Sequence, residues 1–204
     1  MRYSETHKDE THERLLKIAG RALREKGPDG VVVADVMKQA GLTHGGFYAH
    51  FKSKDALLIE ALQGVFAHSK QKFLAATEGM PPRHALAAYI DFYVSVRHRD
   101  NPTNGCPVTA LNSDLPRQSK AFRKAFDDGA KLLVAGLEAR IRDAGLEDDV
   151  HALAASILSA MAGAVAISRA ISDRSLSDQM LETARESIKQ RLGVDDVSLS
   201  RSVQ

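Results

Sequence analysis

Apolar residues recur at helical spacing along almost the whole of this chain, and the breaks between runs define its elements. In 11–26, Leu15, Leu16, Ile18, Ala19, Ala22 and Leu23 share one helical face, with Glu13, Lys17, Arg21 and Arg24 opposite, and Gly27-Pro28 ends the run. Residues 1–8 are polar and read as a mobile arm ahead of it. The β-branched run 30–33 suits a strand in isolation, but nothing nearby could pair with it, and Val33, Val36 and Met37 continue at helical spacing. A short helix over 34–39 breaks at Gly41, and Thr43 opens a second only two residues later, which is the pattern of a helix-turn-helix. Glycine accepts the positive φ of a tight turn between steeply crossing helices. The Thr43 hydroxyl is expected to cap the second helix.

The same pattern continues downstream. Ser53-Lys54-Asp55 reads as an N-cap with an acidic first turn, opening a helix over 53–76 that carries Leu57, Leu58, Ala61, Leu62, Val65 and Phe66. A fifth helix is expected over 83–97, with Leu86, Ile90, Phe92, Tyr93 and Val96 on its apolar face. Cys106-Pro107 opens a short helix to Leu111, because proline suits a first helical turn. Residues 119–144 form a long amphipathic helix with the stripe Phe122, Phe126, Leu132, Leu133, Leu137 and Ile141, ended by Gly145. Two more helices follow over 151–171 and 177–192, then a frayed tail over 193–204. The apolar stretch 152–171 carries serines and ends in Ser168-Arg169, so it reads as a buried core helix that falls short of a membrane span.

Composition narrows the class without naming a function. Alanine and leucine dominate the apolar positions while aromatics are 5% of the chain, which favours an all-α protein. The 204 residues suffice for one or two domains with a real core. A net charge of +2 is too small to announce nucleic-acid binding, so any such surface has to be local. One cysteine excludes an intrachain disulfide, and the polar N-terminal stretch lacks the apolar run of a signal peptide, so a cytoplasmic location is expected.

The chemistry concentrates in 43–54. Residues that enter a major groove at the start of a helix must be small or polar enough to let the backbone approach, and Thr43, His44, Gly45 and Gly46 meet that need. Each glycine costs about 1 kcal/mol relative to alanine in a helix interior, so stability does not account for the pair. Tyr48, His50, Lys52 and Lys54 follow, with donors suited to phosphate.

The run 41–58, GLTHGGFYAHFKSKDALL, resembles the N-terminal signature of the TetR family of transcriptional repressors: a glycine turn, a small-residue recognition helix, Tyr-x-x-Phe-x-x-Lys and a leucine pair. The resemblance covers about the first quarter of the chain; beyond it, only helical architecture and length agree. It implies an all-α homodimer with a three-helix helix-turn-helix domain over 1–52. A helical-bundle domain over 53–204 would then bind a small ligand and dimerise through its last two long helices. Thr43, His44, Gly45 and Gly46 would face the groove, Tyr48 and Lys54 would contact phosphate, and His50 and Lys52 are weaker candidates. Phe47 and Phe51 would pack the small domain. Two positions depart from the family pattern: Val32 stands where a capping threonine or serine is usual, and His44 where a basic residue is common.

Three further constellations carry expectations. Cys106, at a helix start and downstream of Arg97, His98 and Arg99, has the setting of a reactive thiolate and is similar to the glycine-cysteine pair of electrophile-sensing relatives, though a packing role as a small buried hydrophobe suits it better. Phe92, Tyr93, Val96, Cys106, Val108, Leu111, Phe126 and Met161 are candidates to line an inducer cavity. Ala155, Ser159, Ala162, Gly163 and Ala166 form a small-residue strip suited to close helix approach in a dimer. No metal-ligating cluster, cofactor motif or catalytic triad is legible. The expected function is therefore a dimeric repressor of a palindromic operator in double-stranded DNA, released by a small molecule of unknown class or by cysteine modification. The alternative is an all-helical carrier or enzyme using Cys106.

Overall fold

The computed structural model describes residues 2–146 and 149–195, with side chains from residue 7 onward. Among the described residues the helices are α1 (Arg2–Lys26), α2 (Val33–Gln39), α3 (Lys54–Ala76), α4 (Pro82–Tyr93), α5 (Val96–Asp100), α6 (Pro107–Leu111), α7 (Lys120–Asp143), α8 (Val150–Ala170) and α9 (Arg174–Arg191). Three 3-10 segments, His44–Ala49, Pro102–Asn104 and Leu115–Arg117, stand between them, and no strand occurs among the described residues. The all-α expectation holds. The polar start expected to be a mobile arm instead continues α1 from Arg2, while Met1 and most of the expected frayed tail, 196–204, lie outside the described residues. Val194, at the head of that tail, is fully buried.

The chain divides into two compact units, one of 1–68 with 102–129, the other of 69–101 with 130–204. The functional boundary expected after Lys52 falls inside the first. In that unit Leu15, Ala19 and Leu23 of α1 pack among Leu57, Leu58, Ala61, Leu62, Val65 and Phe66 of α3, with Phe122 and Phe126. Phe66 and Phe126 meet edge to face at 5.6 Å. One residue of α1 breaks the expected pattern: Arg24, assigned to the polar face, is only 8% exposed. The 102–105 turn covers it, and its guanidinium reaches the Gly105 carbonyl at 3.4 Å.

In the second unit, α4 ends where the sequence pattern continued. Ser95 caps a new helix by accepting the His98 amide at 3.1 Å, and Val94 between them has ψ 68, so the expected helix over 83–97 becomes α4 and α5. Arg99 is 3% exposed and ties α5 to the last two helices. It donates to Ser177 Oγ at 2.7 Å, to Asp178 and to Asp100, while Arg169 donates to the Arg99 and His98 carbonyls at 2.9 and 2.7 Å. Asp149 and Asp173 cap α8 and α9, so α9 begins before the expected 177.

The apolar stretch expected to be a core helix that falls short of a membrane span buries one face, with Ala154, Ile157, Met161 and Val165 at 0% exposure, but is not short. α8 has 21 residues, enough in length and apolarity to cross a membrane, and only a third of its most apolar window is buried. A core helix of a soluble protein passes the same length and composition test. Leu132, assigned to the apolar stripe of α7, is also half exposed.

Candidate nucleic-acid interface

The helix-turn-helix is built by local chemistry. α2 closes with Gly41 at φ +73, its amide bonding to the Lys38 carbonyl at 3.0 Å and the Leu42 amide to the Met37 carbonyl at 2.9 Å. That paired closure needs a left-handed residue, which glycine supplies without strain. Val36 and Met37 face the core, and Val32 heads the helix without a side-chain cap while remaining 52% exposed. The missing cap expected from the sequence is thus a structural fact.

The second element, His44–Ala49, is a 3-10 helix. Here one expectation fails, because the Thr43 hydroxyl makes no capping bond. The Gly46 amide is taken instead by the Thr43 backbone carbonyl at 3.1 Å, as the i to i+3 closure of a 3-10 turn requires. Thr43, His44 and Gly45 are exposed and Gly46 half-buried. Neither Gly45 nor Gly46 has a positive φ. A Cβ at Gly45 would meet nothing within 4 Å, and one at Gly46 would make ordinary contacts, 3.6 Å from Met37 and 3.8 Å from Thr43. The folded chain therefore has no internal need for either glycine, and the surface they leave bare is open to something outside it.

The flank of this surface is fixed from below. Phe47 and Phe51 are each 3% exposed, 5.7 Å apart, and anchor the 3-10 helix in the core of the unit. Tyr48, between them in sequence, turns outward and is 73% exposed. Lys52 is exposed. Lys54 donates to the Asp29 carbonyl at 3.4 Å, which holds it beside the loop preceding α2 with its remaining donors unspent. Ser53 caps α3 as expected, accepting the Ala56 amide at 3.1 Å.

His50 points inward more than its sequence position suggested. It is half-buried, 6.4 Å from His12, and its Nδ1 is buried without a hydrogen bond. Burial first, then the neighbouring His12 and Lys8, lowers its pKa. The residue that organises this corner, His12, was not singled out from the sequence. It stacks on Phe51 at 4.6 Å and bonds to Glu60 at 2.9 Å, contacts 39 and 48 residues away that no local pattern signals.

The other candidate residues fall in both units. Cys106, Val108, Leu111 and Phe126 belong to the first unit, and Phe92, Tyr93, Val96 and Met161 to the second. Leu111 and Met161 are fully buried, while Phe92 and Val96 are 45% and 46% exposed. Phe92 and Val96 fall on either side of the α4–α5 break, which turns them out of the expected stripe. A cavity in each unit is described, and neither is lined by any of the eight. Cys106 is 7% exposed, precedes α6 without a side-chain cap, and carries no disulfide. Of the expected dimer strip, Ser159 is exposed, Ala155, Gly163 and Ala166 are half-buried, and Ala162 is buried at 5% exposure.

A sequence profile described as "Bacterial regulatory proteins, tetR family" matches residues 15–61. A second, described as "Transcriptional regulator LmrA/YxaF-like, C-terminal domain", matches 82–187, just over half the chain. The HTH-type transcriptional regulator YerO of Bacillus subtilis is 33% identical over 85 residues, 40% of this chain and 29% of that protein. The HTH-type transcriptional repressor NemR of Escherichia coli K12 is 26% identical over 129 residues, 62% of this chain and 64% of that protein. The chain thus spans less than two thirds of the length of each. The HTH-type transcriptional regulator LmrA of Bacillus subtilis is 24% identical over 154 residues, 74% and 82% of the two chains. Among solved structures, reduced Escherichia coli NemR superposes with a TM-score of 0.77 at 22% identity, covering 89% of this chain and 96% of that one. A TetR-family regulator from Cytophaga hutchinsonii gives 0.77 at 23%, covering 90% and 96%. At these identities the structures speak to the fold.

Proposed function

This chain belongs to the TetR family of bacterial regulatory proteins, and from that premise we propose that it is a cytoplasmic, dimeric repressor of a palindromic operator. The segment 1–52 reads DNA, and 53–204 carries dimerisation and the response to a small molecule. Thr43, His44, Gly45 and Gly46 approach the base edges, and Tyr48, Lys52 and Lys54 contact phosphate, with His50 the weakest of the set because its ring is turned toward His12. The observation that carries this reading is the bare surface at Gly45 and Gly46, for which the folded chain has no use of its own. A second copy suits the family's logic, because two-fold symmetry sets two reading elements about 34 to 36 Å apart on successive turns of DNA. The exposed apolar side of α8, including Ile167 at 52%, supports that pairing.

Release is a population shift. An inducer that prefers the conformation with misplaced reading elements drains the DNA-competent state. Modification of Cys106 is a second route, and it needs an opening motion because the thiol is buried. Equal operator release by an electrophile in wild type and Cys106→Ser would remove that route. The repressor reading itself is tested by mobility shift with DNA upstream of the protein's own gene. Specific binding with steep salt dependence is expected, because phosphate contacts release counterions. The absence of a specific complex at low salt, or a Gly45→Glu variant that binds as well as wild type, would overturn it.

A further inference from the structure

Arg24 is buried among apolar neighbours, yet among the described residues no carboxylate pairs with it. Its Nη1 lies 3.4 Å from the Gly105 carbonyl, too long for a strong bond, and its Nε is buried without any. Burial, and after it repulsion from Arg21 three residues earlier on α1, lowers the guanidinium to about 10 against a smaller favourable interaction with Cys106. A buried cation lacking a carboxylate partner is costly, and the neighbouring thiol is a weak acid that supplies little of the missing charge.

Arg24 also lines a cleft of about 470 Å³ between α1, α3 and the Pro102–Asn104 turn, all within the first unit. Lys17 and Arg21 add two further cations to its rim, and its one carboxylate, Glu13, sits 3.8 Å from Lys17. The rest of the wall is largely apolar: Leu16, Gly20, Ala61 and Val65. Gly64, with the polar His68 and Asn104, completes it. Gly64 sits mid-way along the 23-residue α3, where glycine is a poor helix former, and a Cβ there would meet nothing within 4 Å. The missing side chain keeps the cleft open. The volume lies in the range of small-molecule sites, about 300 to 1,000 Å³, and an inorganic anion would leave most of it empty.

We propose that this cleft binds a small amphipathic organic anion, its acidic head drawn to Arg24 and Arg21 and its apolar body laid against Leu16, Ala61, Gly64 and Val65. α1 packs directly on α2, so an occupant wedged between α1 and α3 bears on the helix-turn-helix. That consequence for DNA rests on the regulator reading, whereas the binding does not.

The test uses the full chain without DNA. Titration with 8-anilinonaphthalene-1-sulfonate is followed by fluorescence and calorimetry, and compared with N-phenyl-1-naphthylamine, which has the same aromatic frame without the sulfonate. One saturable site per chain is expected for the anion, at least about tenfold tighter than for the neutral amine. Gly64→Leu fills the cleft and is expected to remove that site while its thermal midpoint stays at or above wild type. Arg21→Gln, on the exposed face, is expected to weaken it about fivefold or more, and Arg24→Gln at least as much where that variant folds. The proposal is overturned if Gly64→Leu titrates like wild type, if the neutral amine binds as tightly, or if the anion shows no saturable site. A negative result here with an intact mobility shift leaves the repressor reading standing, and the reverse result leaves this site standing.

Discussion

At Gly45 the backbone asks for nothing that only glycine can give, and open space stands where a Cβ would be. Gly45→Ala is therefore expected to keep the thermal midpoint or raise it, by up to about 1 kcal/mol of stability, while weakening operator binding about tenfold or more in a mobility shift, since one methyl enters the approach surface. Val32→Thr restores a cap at the head of α2 and is expected to add about 1 kcal/mol in chemical denaturation. His98 makes a different kind of prediction. It is half-buried, bonds to the Tyr93 carbonyl at 2.7 Å, and its pKa is lowered to about 4, by burial first, with Arg169 and Lys72 adding repulsion against the favourable carbonyl contact. The unfolded chain therefore takes up a proton near pH 6.5 that the folded chain refuses, so stability falls as pH drops from about 6.5 to about 4, by no more than about 3 kcal/mol. Urea melts at pH 7 and 4.5 measure the loss, and His98→Gln is expected to reduce it. The bare tetrad 43–46 was legible because turn and approach chemistry is written locally. Arg24 was not, since helical phase assigns it a face and cannot say that the 102–105 turn, some eighty residues on, covers that face.

Elements follow their caps more closely than their apolar period. The starts of α3, α8 and α9 lie where Ser53, Asp149 and Asp173 accept an amide, and the stripe alone misplaced the last of them by several residues. Ser95 is the sharpest case: its hydroxyl turned one expected helix into two and moved Phe92 and Val96 out of the core. The break serves a purpose in packing, because it delivers Arg99 to Ser177 and Asp178. Asp100, held below the usual carboxylate range by Arg99 and then Arg174, completes the cluster, and Arg174 meets it through two bonds of 2.9 and 3.0 Å. Arg99→Ala takes the cation from Ser177 and Asp178 while Asp100 keeps Arg174, and with both carboxylates reaching solvent it is expected to cost about 1 to 3 kcal/mol in denaturant unfolding. Nothing in 96–100 announces this, as the partners lie 78 and 79 residues downstream.

For the molecule as a whole, membership of the family was readable from one quarter of the chain, because its signature is local. Small residues on α8 suggest a strip for the proposed second copy, and the larger Ile167, exposed on the same helix, extends it, whereas Ala162 is buried. Ile167→Asp is expected to leave helicity unchanged, to halve the mass seen by light scattering, and to abolish specific operator binding, which needs two half-sites at once. α8 carries one more consequence. On the proposed dimer, a newly made chain that has not yet met another presents a helix of 21 residues whose greasy side is uncovered and whose length suits a lipid bilayer. Early in synthesis, or at high dilution, such a chain competes for chaperones, membranes and its own kind, so the yield of native protein is expected to rise with how quickly two nascent copies find each other.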